Sequence, residues 1–96
     1  RLLYAQQKIK ELALQDVPAR TAELLLRLSR EQGKIDASGK PLLELPESRQ
    51  ELAGLMGTSR ETLSRTLSDF KKRKLISMEG NCIVLLQEEQ LLELSS

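Results

Sequence analysis

The sequence predicts a mainly α fold with a small β component, and three observations carry that expectation. Apolar residues recur at helical spacing in successive stretches between residue 2 and residue 74. Residues that start or stop helices punctuate those stretches, among them Pro18, Gly33, Ser48 and Gly57. Near the C-terminus the period changes: LISMEGNCIVLL reads as two short strands around a Glu79-Gly80-Asn81 turn. Ninety-six residues make one small domain, and 40% hydrophobic residues are enough for one modest core. With only Tyr4 and Phe70 as aromatics, that core must be built from leucine and alanine.

At the N-terminus, RLLYAQQKIKELAL places Leu2, Ala5, Ile9 and Leu12 at a 3-4-3 spacing. This is a seam of two heptads, short of the ~3–4 that define a coiled coil. Two readings stand: the tail of a dimerisation helix, or a stripe packed on the domain's own core. The expected division is 1–14 for a dimerisation or linker helix end and 15–96 for the remaining domain. Asp16 and Pro18 are expected to break and restart the chain, since proline fits a first helical turn. The next stretch, PARTAELLLRLSREQ, puts Ala22, Leu25, Leu26 and Leu28 on one face, with Arg20, Glu23, Arg27 and Arg30 elsewhere. Gly33 is its natural C-terminal cap. Residues 34–47 read as a loop with short strand segments near Ile35 and 42–45, turned by Ser38-Gly39 and closed by Pro46.

Ser48 followed by Glu51 matches a capping box, in which each side chain satisfies a backbone N–H of the first turn. Leu52, Leu55 and Met56 give the helix that follows an apolar side, and Gly57 ends it where the backbone needs positive φ. Thr58 or Ser59 then caps a second helix, running to about Lys74. At ~100° per residue, Leu63, Leu67 and Phe70 form its buried stripe. Glu61, Ser64, Arg65 and Ser68 fall on the opposite arc, with Arg60 on the flank of the first turn. Small Ala53, Gly57 and apolar Leu63 make the small–x3–Gly–x5–apolar pattern of a tight helix-turn-helix at about 48–74. Followed by a hairpin, this is a winged helix-turn-helix. The tail, QEEQLLEL, is either a short acidic amphipathic helix or a frayed end.

A net charge of +1 conceals a strong asymmetry. Residues 49–74 carry seven basic and three acidic side chains, whereas residues 75–96 carry four acidic and no basic ones. Positive charge on the helix-turn-helix is what phosphate binding needs, though a merely solvated face would look the same. The single cysteine, Cys82, cannot form an intrachain disulfide and is expected to pack within its strand. With no histidine and one cysteine, zinc, haem and iron–sulfur sites lack ligands, so no cofactor is expected in this chain. No apolar run approaches the ~20 residues that span a bilayer and no signal peptide is visible, so a cytoplasmic protein without membrane contact is expected. A chain that begins with arginine directly on a helical pattern reads as a piece of a longer polypeptide. Nothing pairs a nucleophile with a base, and no glycine-rich phosphate loop occurs; the sequence does not read as an enzyme.

The polar arc of the second helix suits the major groove of double-stranded DNA. Arg60 and Arg65 can each donate two hydrogen bonds to guanine, Glu61 can accept from the cytosine amino group, and Ser64 can contact a neighbouring base. Glu61 also fits simpler roles, favouring the helix dipole or pairing with Arg65 one turn on. Arg49, Gln50, Ser59, Thr62 and Lys71 are candidate phosphate ligands, beside the N–H groups at the helix starts. The run Lys71 to Lys74 either adds to that field or matches the helix C-terminus. Gly80 in the wing turn can brush the backbone, although Glu79 opposes a strong contact. The alternative is a winged-helix protein-interaction module that never touches DNA. Such a module would tolerate loss of Arg60 and Arg65 and show little salt dependence.

The core Arg60-Glu61-Thr62-Leu63-Ser64-Arg65 resembles the R-E-T-x-x-R recognition helix of the Crp/Fnr (cyclic-AMP receptor protein and fumarate–nitrate regulator) superfamily, and the resemblance extends over essentially the whole chain. It implies the C-terminal winged-helix domain of a homodimeric transcription regulator that binds a palindromic site. In cyclic-AMP-receptor-like members the residues matching Arg60, Glu61 and Arg65 read the half-site; in fumarate–nitrate-regulator-like members those matching Glu61, Ser64 and Arg65 do. This chain carries both sets, and a TGA-containing palindrome is the expected site. The resemblance also implies an N-terminal β-roll sensor, not present in this sequence, whose effector it does not identify. Residues 1–14 match the end of the helix that joins sensor to DNA-binding domain. Loop 36–41 matches a place where some members touch RNA polymerase.

Overall fold

The computed structural model describes residues 2–95, with side chains described from residue 17 onward. Helix α1 spans Leu2–Gln32, followed by strands β1 (Lys34–Ile35) and β2 (Pro41–Glu44). Helices α2 (Arg49–Met56) and α3 (Arg60–Lys72) come next, then β3 (Ile76–Glu79), β4 (Cys82–Leu85) and helix α4 (Glu88–Ser95). A winged helix-turn-helix is therefore what the chain forms. The seam positions Leu2, Ala5, Ile9 and Leu12 lie outside the residues whose side chains are described.

The expected break at Asp16 and Pro18 does not occur, because α1 runs straight through Pro18. Proline in a helix interior forfeits one backbone bond, at a cost of ~3 kcal/mol or more. Two features beside it favour continuity. Thr21 Oγ1 donates to the Val17 carbonyl at 2.7 Å, bracing the turn around the proline. Ala22, Leu25, Leu26 and Leu28 are buried together just beyond it, anchoring the helix on the core. The fixed φ of proline is compatible with either position, so the local preference for a first turn is one that this anchoring overrides.

All four strands form one antiparallel sheet in the order β1-β2-β4-β3. The wing is thus more than an isolated hairpin: β2, from the loop before α2, pairs with β4 through Leu42↔Val84, Leu43↔Ile83 and Glu44↔Cys82. Across β3 and β4, Met78 faces Ile83 and Ile76 faces Leu85. Side chains alternate between faces, so Leu43, Ile83, Ile76 and Leu85 point inward. Cys82, one residue out of that phase, is exposed rather than packed as the sequence suggested. Its row on the outer face holds Glu44 and Glu79.

Leu63, Leu67 and Phe70 of α3 are buried against this sheet and α1, as their spacing predicts. Helix α4 buries Leu91 against the same core, and its ordered first turn decides between helix and frayed end. On α2 the buried residues are Leu52, Ala53 and Met56, whereas Leu55 is 72% exposed. Around the helix, Leu55 lies ~100° from the centre of that stripe, too far round to reach the core. Buried polar groups are satisfied locally: Ser29 and Thr66 donate to the carbonyls of Leu26 and Thr62. Beyond the reach of β1, the Gln32 side-chain amide pairs with both backbone groups of Glu44, at 2.7 and 2.8 Å. No helix among the described residues is long and apolar enough to cross a membrane.

Candidate nucleic-acid interface

Caps set the position of both interface helices. Ser48 Oγ accepts from the Glu51 N–H at 3.2 Å, as a capping box requires. The Glu51 carboxylate, however, takes the Ser48 hydroxyl at 3.0 Å and not the Ser48 N–H. Gly57 then turns the chain at φ 73°, with Thr58 N–H donating to the Ala53 carbonyl and Gly57 N–H to that of Gly54. This 6→1 and 5→2 pair is a Schellman motif. Ser59, not Thr58, caps α3: its hydroxyl accepts from the Thr62 N–H at 3.1 Å and donates to Thr62 Oγ1 at 2.9 Å. Thr62 thereby keeps its own hydroxyl proton for an outside acceptor.

With one face of α3 buried, the other is left to solvent. Arg60, Glu61, Arg65 and Ser68 are exposed, and Ser64 is half-buried between them. The i,i+4 pairing that would have made Glu61 a purely structural partner of Arg65 is not formed. On α3 an ion pair forms instead between Arg73 and Asp69, at 3.3 Å near the end of the helix. Both members of that pair are exposed, so it contributes only ~0.3–0.5 kcal/mol, but it draws Arg73 away from any other anion. Glu61, Arg60 and Arg65 keep their hydrogen-bonding capacity at the front of the helix.

An open groove of about 390 Å³ runs between α3 and the wing, lined by Arg49, Arg60, Ser64, Ser68, Lys71 and Asn81. A second concavity, of about 440 Å³ at the start of α3, brings Gln50 beside Ser59, Arg60 and Glu61. Of the candidate phosphate ligands, Arg49 and Lys71 line the first concavity and Gln50 and Ser59 the second, with Arg60 lining both; Thr62 and Arg65 line neither. Arg49 is the exception in its orientation. It is half-buried, and its guanidinium Nη2 lies 3.4 Å from the Gly80 carbonyl and 3.8 Å from Met78 Sδ. No spacing rule in the sequence signals that contact, which spans α2 and the wing. Ser68 was visible on the exposed arc, but its place in the groove, like that of Asn81, depends on where the wing folds.

The helix pair, its caps and the wing together define a helix-turn-helix domain of the winged type. The chain belongs to the Crp-like helix-turn-helix domain family, whose model matches residues 19–94. It is 33% identical over 91 residues to the CRP-like cAMP-activated global transcriptional regulator of Mycobacterium tuberculosis, covering 95% of this chain and 40% of that protein. Against the cAMP-activated global transcriptional regulator CRP of Salmonella typhimurium it is 36% identical over 86 residues, covering 88% of this chain and 40% of that protein. Among solved structures, the CO-dependent transcription factor CooA from Carboxydothermus hydrogenoformans superposes with a TM-score of 0.77 at 29% identity, covering 96% of this chain and 42% of that one. The chain thus spans about 40% of the length of the curated relatives it matches.

Proposed function

We propose that this chain is the sequence-specific DNA-binding part of a dimeric cytoplasmic transcription regulator, with α3 entering the major groove of a palindromic site. One observation carries the reading: α3 buries Leu63, Leu67 and Phe70 while leaving Arg60, Glu61 and Arg65 exposed and without an ion pair between them. An acidic group on a face that meets a polyanion is a liability unless it accepts a hydrogen bond from a base, which Glu61 can do from cytosine. Arg60, Ser64 and Arg65 supply the remaining base contacts. Gln50, Thr62 and Lys71 hold phosphates by their side chains and Ser59 by its backbone N–H, helped by the other free N–H groups at the start of α3. The chain itself holds no cofactor in this scheme; control by an effector reaches it through α1.

One recognition helix per chain reads one half-site, so tight binding requires two copies about one helical turn apart on the duplex. Family membership and the transcription-regulator relatives support this reading. Contact between loop 36–41 and RNA polymerase belongs to the same proposal, and substitutions there should abolish activation while leaving operator affinity unchanged. Selection of bound sites from a random duplex pool, using the dimeric protein, tests the whole. Enrichment of an inverted repeat supports it. A pool that stays random, with binding indifferent to loss of Arg60 and Arg65, returns the domain to the protein-interaction class.

A further inference from the structure

We propose that Arg73 is a positioning residue that keeps the base-reading side chain of Arg65 available, by holding the Asp69 carboxylate away from it; this rests on the DNA-binding reading above. Asp69 stands on the exposed side of α3, four residues after Arg65 and four before Arg73. Each interval is about one helical turn, ~6 Å along the axis and ~40° around it. One acceptor therefore has two guanidiniums in equivalent reach, one on either side. The competition is resolved one way: Arg73 Nη1 lies 3.3 Å from Asp69 Oδ2, and among the described residues Arg65 forms no ion pair. Yet Arg65 and Asp69 line the same small concavity, of about 260 Å³, together with Ser68 and Lys72.

Two physical preferences fix that outcome. A carboxylate followed one turn later by a cation is the favoured order along a helix, and Arg65 before Asp69 is the weaker, reversed order. Arg73 also occupies the C-terminal cap, where the helix dipole favours positive charge. Without Arg73 the carboxylate has Arg65 one turn back and Lys72 three residues on. A planar guanidinium matches a carboxylate with two parallel donors and is less strongly hydrated than an ammonium, so Arg65 is the preferred partner. Those donors are the ones that guanine O6 and N7 would accept. Glu61, one turn before Arg65, is the other carboxylate in reach; it forms no ion pair with Arg65, and on DNA that reading gives it to cytosine. Asp69 is thus the competitor for Arg65, and Arg73 removes it.

Three variants test this: Arg73→Gln, Asp69→Asn and the two combined. The first readout needs no DNA: the side-chain Nε–H resonance of Arg65 in the free 96-residue chain. It should move in Arg73→Gln and return to its original position in the double variant. An Arg65 resonance that Arg73→Gln leaves in place overturns the proposal, whatever the chain binds. The second readout is affinity for a selected half-site duplex and for its variant at the base pair whose discrimination Arg65→Ala abolishes. Exposed pairs one turn apart are weak, so Arg73→Gln should lower discrimination at that pair about twofold. In the Asp69→Asn background the same substitution should leave it unchanged. An equal loss in both backgrounds refutes the assignment, and a log–log salt slope lowered by ~0.9 would make Arg73 a phosphate ligand instead. Absence of duplex binding by the unsubstituted protein would count against the DNA reading, with the Arg65 resonance still deciding what Asp69 takes when Arg73 is gone.

Discussion

Replacing Lys74 with glycine should stabilise the fold. Helices α2 and α3 end in the same way. After α2, Gly57 takes φ 73° while Thr58 and Gly57 donate to Ala53 and Gly54. After α3, Lys74 takes φ 58° while Leu75 and Lys74 donate to Phe70 and Lys71, at 2.9 and 3.0 Å. One Schellman motif has glycine at its left-handed position and the other has lysine. A left-handed residue with a Cβ costs about 1–2 kcal/mol. Glycine recovers this less the extra entropy of its unfolded state, about 0.4–1 kcal/mol. The expected net gain is about 0.5–1 kcal/mol, which for a domain of this size raises Tm by about 2–8 °C. The Gln87 side chain donates to the Lys74 carbonyl at 2.9 Å, a bond that glycine keeps. Thermal unfolding followed by circular dichroism measures the shift, with Lys74→Ala as the control that removes charge but leaves a Cβ. Gly57→Ala supplies the converse: an added Cβ there meets nothing within 4 Å, so its loss of about 1 kcal/mol reports backbone conformation alone. An unchanged or lowered Tm in Lys74→Gly, or an equal gain in Lys74→Ala, would refute the reasoning.

Glu61→Ala should relax discrimination at one base pair by ~1–3 kcal/mol while lowering general affinity little, whereas Gln50→Ala should weaken all duplexes alike; competition among single-base variants of the selected site checks both. On α2, Leu52→Ala should cost about 2–5 kcal/mol in urea unfolding, while Leu55→Gln should change stability by less than ~0.5 kcal/mol, because only Leu52 is buried. Hydrogen bonds from the Lys40 N–H and the Ser38 hydroxyl, with smaller help from the Ser38 N–H, hold the Asp36 carboxyl below its usual range. A depressed folded pKa contributes stability that is present above the ordinary carboxylate value and lost as pH falls through the folded one. The Ser38 and Lys40 amides should therefore move with the Asp36 titration at acid pH, and Asp36→Asn should abolish that movement.

What the sequence made legible was local. Ser48, Gly57 and Ser59 mark helix ends through bonds reaching only a few residues along the chain, and the Leu63, Leu67, Phe70 stripe follows from a single helical period. The corrections share a different character. Whether Pro18 starts a helix or sits inside one depends on what anchors the residues after it. Leu55 and Cys82 each lie one step out of phase with a buried face, in segments too short for composition to fix the phase. The pairing of β2 with β4, and the reach of Arg49 to Gly80, join residues about thirty to forty positions apart. Lys74 shows the converse limit: no glycine marks the left-handed turn after α3, because the burial of Phe70 and Leu75 on either side outweighs the local preference of lysine.

The amide of Gln32 has a consequence beyond the fold of a single copy. Strand β1 ends its pairing at Leu42, which leaves the N–H and C=O of Glu44 turned toward open solvent on the unpaired margin of β2. An unprotected margin of this kind recruits strands from other molecules. By occupying both groups, Gln32 closes this stretch of the margin, so a neighbouring copy finds no backbone template there on which to aggregate.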